Sequence, residues 1–170
     1  VWIDGAVTTN QWQNIFRSIF LFDTSSITDT DTKDSATLKL FGTASVDNLS
    51  IVHNINIFTS TPASNTVLAN ADYGQIGTTA QATAITFTNW SQTAYNTFTL
   101  NATGLTNIDL TGITKFGARY LSDINNTQPT WSASVNGNYV WKSEAGANPA
   151  RLVVTYTLPA VGGDNYVYLI

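Results

Sequence analysis

At 170 residues the chain has room for one domain with a sizeable core, and only 11% of it is charged. Net charge is −4 with a pI near 4.5, which gives no basic footprint for nucleic acid. The absence of cysteine excludes a disulfide framework and thiolate metal sites, and no apolar run reaches the length of a membrane-spanning helix. There is no methionine either, so Val1 reads as a product of processing or excision, with any signal peptide already removed. Thr, Asn and Ser fill the polar positions, a composition that suits pleated strands and points to an extracellular, cell-surface or virion-surface setting.

The opening, Val1 to Asn14, holds Trp2 and Trp12 without a clean period, and Ala6 to Thr9 reads as a short strand. Phe16 to Asp23 is the densest apolar run, with Ile19 and Leu21 on one side and Phe20 and Phe22 on the other. Apolar residues on both faces predict a strand covered twice, placed centrally in its sheet. A polar loop from Thr24 to Asp34 follows, and then Ala36, Leu38 and Leu40 alternate with Thr37 and Lys39 as a half-buried strand. Ile51 to Phe58 is the next strand, with Ile51, His53, Ile55 and Ile57 on one face. Ser60 to Gly77 is irregular, with a helical turn over Leu68 to Tyr73 stopped by Gly74.

Strands resume at Ala84 to Trp90 and Tyr95 to Leu100, and Gly104 to Ile108 reads as a turn. Gly112 to Leu121 alternates again, Asp123 to Pro129 reads as loop, and Asn138 to Lys142 and Arg151 to Thr157 complete the set. After Pro159 and Gly162-Gly163 comes a last apolar segment, Tyr166 to Ile170. Short strands between turn-rich segments, with no helical period, predict an all-β fold. The form expected is a single antiparallel β-sandwich, jelly-roll-like, over residues 1–158, with a C-terminal tail over 159–170.

Three stretches resemble the DNRLRE family of surface-protein domains: Arg17 to Asp23; Ala36-Thr37-Leu38-Lys39-Leu40; and Ser143-Glu144 followed by Arg151 to Tyr156. The Arg that the family carries between that Ser and Glu is absent here. Similar domains occur in phage and environmental sequences. The resemblance covers roughly Ala6 to Thr157 and implies a jelly-roll sandwich akin to carbohydrate-binding modules, displayed outside the cell within a larger assembly, with no catalytic residues.

Several side chains stand out as candidate sites. Arg17 heads a buried run and Glu144 is the only Glu, so Arg17 is expected to hold Glu144 or Asp23 as a structural ion pair. Asp29, Asp31 and Asp34 place three carboxylates in one loop, either a calcium site or a solvated acidic loop. His53, the only histidine, reads as a satisfied core or edge residue. Trp90, Trp131 and Trp141 offer either a platform for stacking sugar rings or core filling. Asn48, Asn89, Asn101 and Asn125 head glycosylation sequons. Tyr166, Val167, Tyr168, Leu169 and Ile170 form a β-prone tail, either a strand donated to a neighbouring subunit or one returning to its own sheet.

No Gly-x-Ser-x-Gly, His-Glu-x-x-His or phosphate-binding Gly loop is present. The reading is a non-enzymatic structural module of an extracellular assembly, a virion fibre or decoration or a cell-surface filament subunit. It would have other copies of itself or other subunits as partners and no cofactor beyond a calcium ion in the acidic loop. The alternative is a carbohydrate-binding or adhesin module that takes surface glycans.

Overall fold

A computed structural model describes residues 1–5, 10–28, 31–49, 51, 53–128, 135–140, 147–158 and 165–169, with the backbone alone at 2, 4, 135–140 and 165–169. Eleven strands are described: β1 (Trp2–Gly5), β2 (Trp12–Phe16), β3 (Ser18–Asp23), β4 (Thr32–Asp47), β5 (Ile55–Ser60), β6 (Ile76–Ala80), β7 (Tyr95–Thr99), β8 (Ile113–Tyr120), β9 (Val135–Val140), β10 (Arg151–Thr157) and β11 (Asn165–Leu169). The helical elements are short: α1 (Ala102–Thr106), α2 (Leu121–Ile124) and two 3₁₀ turns, Asn70–Gln75 and Phe87–Asn89.

The strands form two packed antiparallel sheets, so the chain is an all-β sandwich. The larger sheet runs β11-β10-β4-β9-β1-β2, with β7 joined to β4, and the smaller runs β3-β8-β5-β6. β4 is the frame of the larger sheet. Its 16 residues pair with β10 over Thr32 to Lys39, with β7 over Thr37 to Phe41, and with β9 over Gly42 to Asp47. The two-residue period then sorts the side chains. Leu38, Leu40, Phe98, Leu152 and Val154 turn inward and meet Ile55, Ile57, Phe116, Ala118 and Tyr120 of the smaller sheet, all essentially without solvent contact. Gly42 is required by a close approach, because a Cβ there would strike the Ser91 carbonyl and the Trp90 indole.

The apolar run Phe16 to Asp23 is not one central strand. Phe16 ends β2 and is exposed, Arg17 makes the crossing between sheets, and β3 lies at the margin of the smaller sheet. Its two faces are covered by different things. Phe20 and Phe22 pack toward the core, while Ile19 and Leu21 lie beside the segment 64–68. A loop laid over the sheet covers a second face as well as a neighbouring layer does, so coverage does not require a central position. The interior strands are β8, flanked by β3 and β5, and β5, flanked by β8 and β6; β8 is buried on both parities from Phe116 to Tyr120 and β5 from Ile55 to Phe58.

Other departures follow from pairing. The strand expected from Ile51 begins only at Ile55, because its partner β8 ends at Tyr120, opposite Ile55, and turns into α2. Ala84 to Trp90 makes one bridge, Ile85 to Ile55, and then the Phe87–Asn89 turn. β6 arises inside a stretch read as irregular up to Gly77. The tail segment Tyr166 to Leu169 pairs with β10 of its own chain, from Val153 opposite Leu169 to Thr157 opposite Asn165, and is thus placed as a returning strand. Ile170 and the expected strand over Ala6 to Thr9 lie outside the described residues. No described helix is long and apolar enough to cross a membrane.

Candidate functional site

The densest polar arrangement lies on the outer face of the smaller sheet. Arg119 is on the outward parity of β8, and the chain then turns through α2, which brings Asp123 back beside it. Arg119 grips Asp123 with Nε at 2.8 Å and Nη2 at 3.0 Å. Arg17 grips the same carboxylate from the crossing between β2 and β3, with Nε and Nη2 both at 2.8 Å. Two planar forks thus share one carboxylate, four charge-assisted bonds in a largely buried setting.

Burial would push the Asp123 carboxyl up, but the guanidinium hydrogen bonds and charges outweigh it and hold the carboxyl below its ordinary range. Arg17 answers in kind: burial opposes its charge, and the Asp123 hydrogen bond and charge raise its pKa regardless.

A strap, residues 61–75, lies over this cluster. Its two ends meet through the Thr61 N–H, which donates to the Gln75 carbonyl at 3.0 Å. Asp72 clasps it from inside: the Ala69 N–H donates to Oδ2 at 2.8 Å and the Ala63 N–H to Oδ1 at 3.0 Å. Those bonds hold its carboxyl below the usual range. Arg17 fastens the strap to the sheet, Nη1 donating to the Tyr73 carbonyl at 2.8 Å while its guanidinium stacks 4.1 Å from the Tyr73 ring centroid. Arg119 Nη1 reaches the Ile76 and Gly77 carbonyls at 3.3 and 3.4 Å. Ile76 seats on Gly117, where an added Cβ would come within 2.6 Å of its Cγ2.

Strap and sheet margin leave a cleft of about 460 Å³ bordered by Arg17, Ile19, Leu68, Asp72, Tyr73 and Ile76. A second, of about 300 Å³, continues along Ile19, Leu21, Val67 and Leu68. The carboxylates here accept fixed donors and sit low in pKa, so they act as anchors for backbone and guanidinium groups.

Among the described residues the acid that Arg17 holds is Asp123 and not Asp23. Arg17 meets Asp123, whereas Asp23 is exposed and accepts from the Ser25 N–H and hydroxyl. The reason is direction: Asp23 lies at the far end of β3 from Arg17, while α2 delivers Asp123 to its side. Glu144 lies outside the described residues. Asp123 was hidden because it reads as a loop acid; its one signal is the spacing Arg119-x-x-x-Asp123, which becomes a contact only when a strand ends between the two.

Trp90 is buried in the core and cannot stack a sugar ring, and Trp131 and Trp141 lie outside the described residues. In the acidic loop, Asp31 Oδ2 accepts from the Thr28 N–H at 3.1 Å and Asp34 Oδ2 from the Thr157 hydroxyl at 2.7 Å, with Asp29 outside the described residues. No group of three or more potential metal ligands occurs among the described residues. His53 is buried, with Nδ1 3.0 Å from the Ile51 carbonyl and its ring against Phe87 and Tyr120. Asn48, Asn89 and Asn125 are exposed. Asn101 caps α1, with Oδ1 accepting from the Gly104 N–H and Nδ2 donating to the Ala80 carbonyl, so a glycan there would compete with the cap.

No family model, no curated protein and no solved structure matches the chain.

Proposed function

We propose that the chain is a non-enzymatic structural module of an extracellular assembly, a subunit or decoration of a virion fibre or of a cell-surface filament. The observation that carries this reading is the use made of the conspicuous charges. Arg17 and Arg119 share Asp123, Arg17 also holds the strap through the Tyr73 carbonyl, and Arg119 reaches the Ile76 carbonyl of β6, so these charges are engaged in holding a crossing between sheets. A buried ion cluster is weak evidence of net stability, but removing one partner strands the others, so this one constrains how the chain can be arranged. The hydroxyl- and amide-rich surface and the DNRLRE-like stretches support the same reading, and the burial of Trp90 weakens the glycan-platform alternative.

The test is negative-stain microscopy and immunogold labelling of the native particle or cell surface with an antibody to this chain. Regular labelling along a filament, fibre or capsid is the expected result. Turnover of a sugar or ester substrate by the purified chain, abolished by a point substitution that leaves it folded, would overturn the reading.

A further inference from the structure

We infer that β3 is a docking edge for a second copy of this chain, paired antiparallel to its own counterpart across a two-fold axis. The inference rests on the structural-module reading and gives that module a contact surface. β3 ends the four-strand order of the smaller sheet, with β8 on one side and no strand on the other among the described residues. A margin of that kind presents a row of backbone donors and acceptors, and proteins usually blunt it with Lys, Pro, a bulge or shortness. β3 has none of these, and its single charge is Asp23 at its last position. Its sequence is Ser-Ile-Phe-Leu-Phe-Asp, and its register with β8 runs unbroken through all six pairs from Ser18 to Asp23. The opposite margin, β6, is interrupted between Phe58 and Ser60 of its partner strand.

Two further observations select a second copy as the occupant. The clefts beside β3 share Ile19 and Leu68, so they follow the strand and offer apolar receptors for alternate side chains of an added strand. Val67 and Leu68, 69% and 65% exposed, stand over them as uncovered apolar surface. The charges are also self-complementary. With Phe20 facing Phe20 across the axis, Ile19 faces Leu21, and Arg17 of one copy faces Asp23 of the other at both ends. Asp23 is exposed there, and the Arg17 and Arg119 guanidiniums share the single carboxylate of Asp123, with Asp72 bordering the same cleft.

The experiment is sedimentation velocity of the purified chain over a concentration series into the millimolar range, alongside Leu21→Lys and Asp23→Lys. Circular dichroism and melting curves verify that each variant folds, and the exposed Asp23 makes the second variant safe for folding. The expected result is a concentration-dependent dimer, abolished by Leu21→Lys and weakened about tenfold by Asp23→Lys. A chain that stays monomeric throughout overturns the inference. So does a dimer indifferent to both folded variants, which would leave the module reading with another face. A β3-dependent dimer from a protein that labels no particle would keep this edge and remove the module reading.

Discussion

The outer faces of the two sheets meet different surroundings. On the larger sheet, Thr37, Thr97, Thr99, Val153 and Thr155 alternate with the core positions and face outward, with Thr37 paired opposite both Thr99 and Val153. The threonine hydroxyls there are open to water, and an ordered contact at one end is Arg151 stacked 4.6 Å from the Tyr95 ring centroid. On the smaller sheet the same alternation brings Asn56, Phe58, Gly117 and Arg119 outward, and all four are buried near the strap and β6. One backbone period thus yields a tolerant face and a constrained one. The difference lies wholly in what the intervening chain lays on top.

The contrast makes graded predictions. Asp123→Ala, which leaves two largely buried guanidiniums without a carboxylate, is expected to cost about 3–5 kcal/mol in urea unfolding. Gly117→Ala drives a methyl into Ile76 and should cost about 1–3 kcal/mol by the same measurement. A retained melting temperature in either variant would erase the distinction between the faces.

Acid acts on the same point. Because the Asp123 pKa is lowered on folding, its contribution is present above the ordinary carboxylate value of about 4 and is lost as pH falls through the lower folded value. Melting temperature should decline below about pH 4, less steeply in Asp123→Asn. Asp72→Ala should release the strap locally, seen as faster amide exchange across residues 61–75 while β8 stays protected. Thr99→Ala, on the open face, should change stability by no more than about 0.5 kcal/mol.

What was legible in the sequence divides along the same line. Ala36-Leu38-Leu40, Phe98-Leu100, Phe116-Ala118-Tyr120 and Leu152-Val154-Tyr156 announce strands because one face meets a core and the other does not, and these are the inner walls of the sandwich. Period two says nothing about order within a sheet, so β3, apolar on two faces and expected at the centre, lies at the margin, and β8, read only as an alternating strand, lies inside. The Arg17 anchor was readable as a buried charge requiring an acid. Which acid depends on α2 reversing the chain after Tyr120, and no local pattern near Asp123 encodes that reversal. The strap was readable as an irregular stretch with one helical turn, found as the 3₁₀ turn Asn70–Gln75, but its covering role was not, since that comes from Asp72 accepting the Ala63 and Ala69 backbone donors.

β4 has one more implication. Strands from opposite parts of the chain converge on it: β1 through β9, and β11 through β10. A pull of β1 against β11 would therefore run in series through the β1–β9, β9–β4, β4–β10 and β10–β11 pairings, with the 16-residue β4 as the link common to both halves. The larger sheet then behaves as a tether with its splice in the middle.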